Sequence, residues 1–267
     1  MKKFLKKTSL FLVTAAMTVS APLMAWALEH DIVILHTNDI HCGINDNIGF
    51  AGLAQIKKDA LARTPNVALV DAGDAIQGAP IGKLSRGLAV VDIMNYLGYD
   101  FCIPGNHEFD YGMERFLELV PLQRAGYYCA NFVYAGNNKQ VLPGYKIMQY
   151  EDTKVAFVGA STPESLTTST PTFFQNEKGK YIYSFCEDKT GNKLYKQLQK
   201  NIDKARKDGA DYVFIVGHLG MDGTTPQWSS ESVAKNTQGV DAVIDGHSHE
   251  RFTRMVKNKV GKDVLLA

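Results

Sequence analysis

Five apolar runs along this chain end in residues that can bind a metal ion. The runs IVILHT, VALVDAG, FCIPG, YVFIVG and AVIDG lead, in that order, to Asp39-Ile40-His41, Asp74, Asn106-His107, His218 and His247-Ser248-His249. In the last four, a glycine stands directly before the first polar residue: Gly73, Gly105, Gly217 and Gly246. Buried strands that end in Asp, Asn or His are typical of α/β folds, which bind ligands at the outer ends of their strands. The pattern therefore predicts a site along one sheet edge, and five of the seven histidines belong to it.

Between these groups, the apolar periodicity predicts alternating strands and helices. Strands are expected at residues 31–37, 66–70, 101–103, 127–130, 211–216, 242–244 and 263–266, with a β-hairpin formed by 145–150 and 154–159. Helices are expected at residues 50–63, 90–97, 113–125 and 190–207. Such alternation predicts a mostly parallel sheet covered by helices, an α/β fold.

The first 27 residues have the anatomy of a secretory signal peptide. Four lysines precede a short apolar core, Pro22 ends it, and Ala25-Trp26-Ala27 forms a cleavage site flanked by small residues. The alternative, an uncleaved membrane anchor, is disfavoured because the apolar stretch is shorter than the roughly 20 residues that span a bilayer. We expect residues 28–267 to be exported, to the periplasm or outside the cell, without a membrane attachment.

Removal of the signal peptide makes the chain mildly acidic. Lys and Arg fall from 29 to 25 while Asp and Glu stay at 28, so the net charge changes from +1 to about −3. Such a charge offers no broad electrostatic surface for a nucleic-acid polymer. A phosphate-containing partner should therefore be a small molecule, bound locally by metal ions or backbone amides.

The four cysteines leave two questions open. Cys42, Cys102, Cys129 and Cys186 could pair in an oxidising compartment in three ways. Free buried cysteines are the favoured reading for Cys102 and Cys129, which lie in strand-like runs. Cys42 follows His41 and is a possible soft metal ligand, but no metal-binding cysteine spacing supports that role.

Two other segments carry expectations. Phe173-Phe174 lies in an irregular stretch, where the phenylalanines either pack into the core, which we favour, or form a rim that contacts substrate. The chain closes on the apolar run Asp263-Val264-Leu265-Leu266-Ala267 without a cap or turn, which suggests a fragment of a longer protein.

The polar groups at the strand ends have the chemistry of a two-metal site. Asp39 and His41 are two positions apart, so in an extended segment both side chains point the same way. Asp74 has two carboxylate oxygens and can bridge two ions, Asn106 offers an amide oxygen, and three further histidines follow. Mixed nitrogen and oxygen donors favour zinc, manganese, cobalt or iron over magnesium or calcium. Each motif alone is weak evidence, but all of them occur in order, each at a strand end.

These motifs resemble those of the calcineurin-like metallophosphoesterases. The resemblance rests on His36-Thr37-Asn38-Asp39-Ile40-His41, Gly73-Asp74, Gly105-Asn106-His107-Glu108-Phe109-Asp110, Gly217-His218 and Gly246-His247-Ser248-His249. It is closest to the secreted branch that contains 5′-nucleotidases, UDP-sugar hydrolases and 2′,3′-cyclic-nucleotide phosphodiesterases. It implies a layered α-β-β-α sandwich, here incomplete at its C-terminal end because the branch has a second domain for substrate specificity.

The resemblance also implies residue roles. One divalent ion would be bound by Asp39, His41, Asp74 and His249, and the second by Asp74, Asn106, His218 and His247. His107 would face the substrate phosphate, oriented by Asp110, and the i, i+3 spacing of these two residues independently supports their contact. A carboxylate beside an imidazole raises its pKa and orients it.

The implied activity is hydrolysis of phosphate esters, foremost nucleoside 5′-phosphates, by attack of a metal-bridging hydroxide. Within the enzyme class, a general phosphomonoesterase, a cyclic-nucleotide phosphodiesterase or a UDP-sugar hydrolase remains open. A metal-binding surface protein without catalysis is the alternative from another class, and the His107–Asp110 pair argues against it, since a binding site has no need of that pair. The native metal, the preferred ester and the oligomeric state do not follow from the sequence.

Overall fold

The computed structural model describes residues 31–221 and 225–267 and, for the backbone alone, residues 10–13. The predicted signal peptide, residues 1–27, otherwise lies outside the described residues and stays a prediction. Within the described part of the chain, no helix is long and apolar enough to cross a membrane.

The strands of the described residues are β1 (Leu10–Val13), β2 (Ile32–Thr37), β3 (Val67–Asp71), β4 (Phe101–Cys102), β5 (Val133–Tyr134), β6 (Tyr145–Tyr150), β7 (Thr153–Ser161), β8 (Tyr183–Ser184), β9 (Tyr212–His218), β10 (Ala242–Ile244), β11 (Arg254–Lys257) and β12 (Asp263–Leu266). The helices are α1 (Gly49–Leu61), α2 (Pro80–Ser85), α3 (Leu88–Leu97), α4 (Met113–Leu119), α5 (Ser165–Thr168), α6 (Asn192–Lys207) and α7 (Ser230–Asn236).

The strands form two main sheets. The first is parallel, in the order β1-β2-β3-β4. The second has the order β11-β12-β10-β9-β7-β6, with four parallel central strands and antiparallel edge strands β11 and β6. Strands β5 and β8 form a separate antiparallel ribbon.

Three apolar layers surround and separate the sheets. Strand β2 shows the arrangement: Val33 and Leu35 pack with the residues of α1 and α3, whereas Ile32 and Ile34 pack against the second sheet. The layer between the sheets includes Val70, Phe101, Phe157, Phe214 and Val216. On the far side of the second sheet, α6 buries Leu194, Leu198 and Ile202. These layers confirm the α-β-β-α sandwich that the family resemblance implied.

The alternation of elements indicated a sheet but did not show that there are two. A strand that is buried on both faces reads as a continuous apolar run, whichever layer covers each face. Sequence periodicity therefore could not separate helix-covered strands from strands that pack against a second sheet.

Two predicted elements are wrong in extent or type. The helix expected at residues 113–125 ends at Leu119 and continues as a 3-10 turn, Val120–Leu122, which contains Pro121. Proline lacks the N–H that a continuing helix needs. Residues 127–130 are not a strand, since Tyr127 makes only an isolated bridge to Cys102.

Short elements were missed, among them α2, α7 and β11. The two phenylalanines of the irregular stretch behave differently: Phe174 is fully buried in the core, as favoured, whereas Phe173 is half-buried.

Candidate metal centre

The carboxyl ends of strands from both sheets meet at one edge of the sandwich. Backbone hydrogen bonds tie the loop after β2 to the loop after β3, through Asp39 N to Gly73 O and His41 N to Asp74 O. The sheets are joined there by His218 at the end of β9, whose Nδ1 lies 2.8 Å from the carbonyl oxygen of Ala72. All the predicted site residues lie at this edge.

An outer cluster is formed by Asp39, His41 and His249, whose ligand atoms all lie within 4.8 Å of one another. Nε2 of His41 is 3.3 Å from Nε2 of His249, which is 3.3 Å from Oδ1 of Asp39. Nδ1 of His41 faces the Gln77 carbonyl oxygen at 3.2 Å, so the proton of the neutral ring belongs on Nδ1 and Nε2 is free to bind an ion. His249 is the most open member, with 60% of its side chain exposed.

An inner cluster is formed by Asp74, His218 and His247, again within 4.8 Å of one another. Nε2 of His218 is 3.0 Å from Oδ2 of Asp74 and 3.3 Å from Oδ1 of Asn106. Asp74 and His218 are almost completely removed from solvent, with side-chain exposures of 3% and 0%.

Asp74 lies between the two clusters. Its Oδ2 is 3.0 Å from His218 Nε2 of the inner cluster and 3.9 Å from His41 Nε2 of the outer cluster. The backbone N–H of His107 donates to its other oxygen, Oδ1, at 2.8 Å, which holds the carboxylate in place. One carboxylate is thus within reach of both potential ion positions.

The donor set fits divalent cations chemically. Burial alone would raise the pKa of Asp74, but the positive charge and hydrogen bond of His218, with help from His107, outweigh it and lower that pKa far below its usual value. Burial alone would lower the pKa of His218, but Asp74, then Asp39, raise it to about 10. Metal ions bind deprotonated ligands, so a cation would have to displace the proton of His218. The charge of the cation would then neutralise Asp74 in place of that proton.

The backbone at these positions is held in an uncommon conformation. Asp39, His41, Asp74, His247 and His249 all have positive φ, between 46° and 83°. Residues other than glycine rarely adopt this region, and its strain concentrates at functional sites. Five of the seven predicted ligands thus lie where packing of the surrounding loops imposes the backbone conformation.

The glycines before the polar groups allow the strand ends to approach each other. A Cβ on Gly105 would lie 2.3 Å from Oδ1 of Asp74, and one on Gly246 would lie 2.9 Å from Oδ2 of Asp39. Both distances are too short for real contacts. The absence of a side chain at these two positions leaves room for the ligand carboxylates.

His107 and Asp110 lie side by side on a 3-10 turn, His107–Phe109, with Nδ1 of the imidazole 2.6 Å from Oδ2 of the carboxylate. Ser169 Oγ donates to the other Asp110 oxygen at 3.1 Å. The Asp110 hydrogen bond raises the pKa of His107, burial opposes it, and Asp74 adds to the rise. The His107 ring is 5.3 Å from that of His41, between centroids.

Glu108 has a structural role that the sequence reasoning missed. Its buried carboxylate accepts hydrogen bonds from the backbone N–H groups of Asp74 at 2.8 Å, Ala75 at 2.8 Å and Gly105 at 2.6 Å. Burial, followed by the Asp74 charge, raises the pKa of Glu108 to about 7. The signal that could have identified it is an acidic residue directly after two candidate site residues.

Glu164 was given no role by the sequence. Its Oε2 is 3.2 Å from Nε2 of His247, and its Oε1 accepts hydrogen bonds from the backbone N–H and the hydroxyl of Thr225. Burial raises the pKa of Glu164, but the Thr225 and His247 contacts outweigh this and lower it.

The alternative ligand role of Cys42 finds no support. Its buried sulfur lies 3.5 Å from the Ala75 carbonyl oxygen, and burial, followed by the Glu108 charge, raises its pKa to about 12. Neither cluster of ligand atoms in the described residues includes Cys42. All four cysteines are free and buried.

A cavity of about 540 Å³ opens beside the outer cluster. Asp39, His41 and His249 line it together with Phe50 and Phe252. A small molecule can therefore reach the outer cluster from solvent, whereas Asp74, His218 and His247 of the inner cluster do not line this cavity.

Comparisons with known proteins agree with this architecture. The sequence profile of the calcineurin-like phosphoesterases matches residues 32–251. The chain is 29% identical to a snake venom 5′-nucleotidase of Gloydius brevicauda, over 90% of this chain and 40% of that protein. It is 26% identical to a 2′,3′-cyclic-nucleotide 2′-phosphodiesterase/3′-nucleotidase of Haemophilus influenzae, again over 90% of this chain and 40% of the relative.

Among solved structures, a 5′-nucleotidase precursor from Thermus thermophilus superposes with a TM-score of 0.72 at 25% identity, covering 88% of this chain and 48% of that one. The chain thus spans about two fifths, 40%, of the length of each of the two sequence relatives described above.

Proposed function

We propose that this chain, which belongs to the calcineurin-like phosphoesterase family, hydrolyses phosphate esters of nucleosides with two divalent ions at the strand-end centre. The observation that carries the proposal is the arrangement of two clusters of ligand atoms around Asp74, with the His107–Asp110 pair beside them.

The two ions would be held by different sets of residues. Asp39, His41 and His249 would bind the first and Asn106, His218 and His247 the second, with Asp74 shared. Zinc, manganese, cobalt or iron suits this mixture of imidazole nitrogen and carboxylate or amide oxygen. When bound, such ions act as Lewis acids toward phosphoryl oxygens and lower the pKa of water.

His107 would act on the substrate phosphate. Asp110 holds Nδ1, so Nε2 is the ring atom left to carry a proton toward the substrate. The hydrogen bond to Asp110 raises the pKa of His107, which favours the protonated ring relative to a free imidazole. A proton held at Nε2 would stabilise charge on a phosphoryl oxygen or pass to the leaving alkoxide.

The names of the relatives support nucleotides as substrates, and the cavity beside the outer cluster provides a route for a small molecule. Export belongs to the same proposal. It is supported by the signal-like residues 1–27 and by the snake venom origin of one relative.

The test is release of inorganic phosphate by the purified protein from AMP, from 2′,3′-cyclic AMP after phosphatase treatment, and from UDP-glucose after the same treatment. Each reaction is run with MnCl₂ and with an excess of EDTA. We expect Mn²⁺-dependent release of phosphate from AMP that EDTA abolishes. Faster turnover of the cyclic nucleotide would move the proposal to the phosphodiesterase activity. No metal-dependent turnover of any ester would favour a binding protein without catalysis.

A further inference from the structure

The contacts of Glu164 link three loops at the metal centre. Glu164 follows β7 and directly precedes α5. Its Oε1 accepts from the backbone N–H of Thr225 at 2.6 Å and from the Thr225 hydroxyl at 2.5 Å, and its Oε2 lies 3.2 Å from Nε2 of His247. Thr225 belongs to the loop after β9, which carries His218, and His247 belongs to the loop after β10. One carboxylate thus connects His247 with the segment that follows His218, the two imidazole residues of the inner cluster.

The geometry also determines which ring nitrogen of His247 can bind an ion. A carboxylate accepts hydrogen bonds and cannot donate them when ionised. The contact at 3.2 Å therefore requires a proton on Nε2 of His247 and leaves Nδ1 as the ligand atom. The pair is largely shielded, with side-chain exposures of 13% for His247 and 17% for Glu164, so water competes little for this hydrogen bond.

We propose that Glu164 is a positioning residue for the inner ion: it fixes the tautomer and orientation of His247 and ties the loop of His247 to the segment that follows His218. The inference rests on the proposed two-ion function. Carboxylates that orient a metal-binding histidine raise metal affinity by roughly 10–100-fold. The candidate ligand that Glu164 contacts is His247 of the inner cluster, so loss of Glu164 should weaken one ion and spare the other.

The decisive variant is Glu164→Gln. The glutamine has the same shape, but if its oxygen accepts from Thr225, its amide N–H points at Nε2 of His247. That donor would move the ring proton to Nδ1, the atom required for the ion. The reversed amide would place its N–H group against the two donors of Thr225, so neither orientation restores both contacts.

The matched control is Glu187→Gln. Glu187 is also a half-buried carboxylate that accepts from a hydroxyl, Ser184 Oγ at 2.7 Å, and from a backbone N–H, Phe185 N at 3.0 Å. Because Glu187 belongs to neither cluster, this variant measures how the loss of a similar carboxylate elsewhere in the protein affects metal binding.

The experiment titrates chelator-stripped protein with MnCl₂ by calorimetry and follows the Mn²⁺ electron paramagnetic resonance spectrum. We expect the parent protein and Glu187→Gln to bind two ions and to show a spin-coupled pair. We expect Glu164→Gln to bind one ion with parental affinity and the second about 10–100-fold more weakly. At one equivalent of Mn²⁺, its spectrum should be that of an isolated ion. At Mn²⁺ concentrations below saturation of the weaker position, the protein-bound ions should remain uncoupled.

Retention of both ions by Glu164→Gln with parental affinity would overturn the inference, and so would equal weakening of both ions. If Glu164→Gln does not fold, Thr225→Val decides, because it removes the hydroxyl contact with Glu164 and keeps the backbone one. It should weaken the same single ion by about twofold to tenfold, the scale of one lost hydrogen bond. Unchanged binding in this variant overturns the inference. A parent that binds two ions but hydrolyses no nucleotide would refute the proposed function alone. Active protein in which Glu164→Gln keeps both ions would refute this inference alone.

Discussion

The outer and inner clusters use the same donors, one carboxylate and two imidazoles each, but they differ in burial and in support. His218 of the inner cluster is fully buried and hydrogen-bonded to the Ala72 carbonyl, whereas His249 of the outer cluster is 60% exposed. Electrostatic attraction is stronger and screening weaker for buried groups. We therefore expect the inner ion to bind tightly and the outer ion to exchange readily.

The difference also suits the proposed chemistry. The outer cluster lines the cavity through which a substrate would arrive, so an exchangeable position there can share its ion with the phosphate. Beside the inner cluster, Glu108 accepts hydrogen bonds from the backbone of Asp74 and Gly105, so we expect this cluster to keep its geometry when substrate binds. The buried inner cluster would thus retain its ion, while the exposed outer cluster would give substrate access to the other ion.

The largest expected effect comes from Asp74→Asn, because this residue joins the two clusters. Loss of the shared carboxylate should release both ions and lower turnover by more than about 10⁴-fold. Metal analysis after gel filtration, together with phosphate release, measures both effects. If one ion stays bound at parental affinity, Asp74 is not shared and the clusters are independent.

His107→Ala should separate catalysis from metal binding. We expect turnover to fall by about 10³-fold, within the range for loss of a general acid. Both ions should remain, since His107 belongs to neither cluster. A parental rate in this variant would end the role we give His107.

His249→Ala tests the comparison itself. It should weaken the outer ion by at least the roughly 10–100-fold that loss of a residue supporting a metal-binding histidine costs, and leave the inner ion unchanged. Limited EDTA should then leave one ion per chain at a chelator concentration at which the parent still holds two. Equal loss of both ions would show that the two positions do not differ in the way their burial suggests.

The smallest expected effect is that of Asn38→Ala. Asn38 Nδ2 donates to Oδ2 of Asp39 at 2.8 Å, on the outer side of the centre. Removal of one such hydrogen bond changes the free energy by about 1 kcal/mol, or about fivefold in affinity. Manganese titration should show this change for the outer ion only, and a change in the inner ion would mean that Asp39 contributes to both.

Much of the site was predictable because each candidate ligand is marked by the residues next to it in the sequence. Each candidate ligand stands where an apolar run ends, and the structure brings Asp39, His41, Asp74, Asn106, His218, His247 and His249 to one edge. The contact of His107 with Asp110 followed from their spacing along one turn. The supporting residues were harder to identify, because Glu108 and Glu164 act through partners that are distant along the chain, such as Ala75 and Thr225.

The order of apolar and polar residues determined which segments become strands and which side chains can stand at their ends, because both depend on neighbouring residues in the chain. Only the tertiary structure decided that two sheets pack face to face, and that residues as far apart as His41 and His249 come within 3.3 Å. It also decided that one cluster is buried while the other faces a cavity. The physical reason is that these distances depend on sheet order and on packing between layers, and strands buried on both faces look alike in sequence whatever covers them.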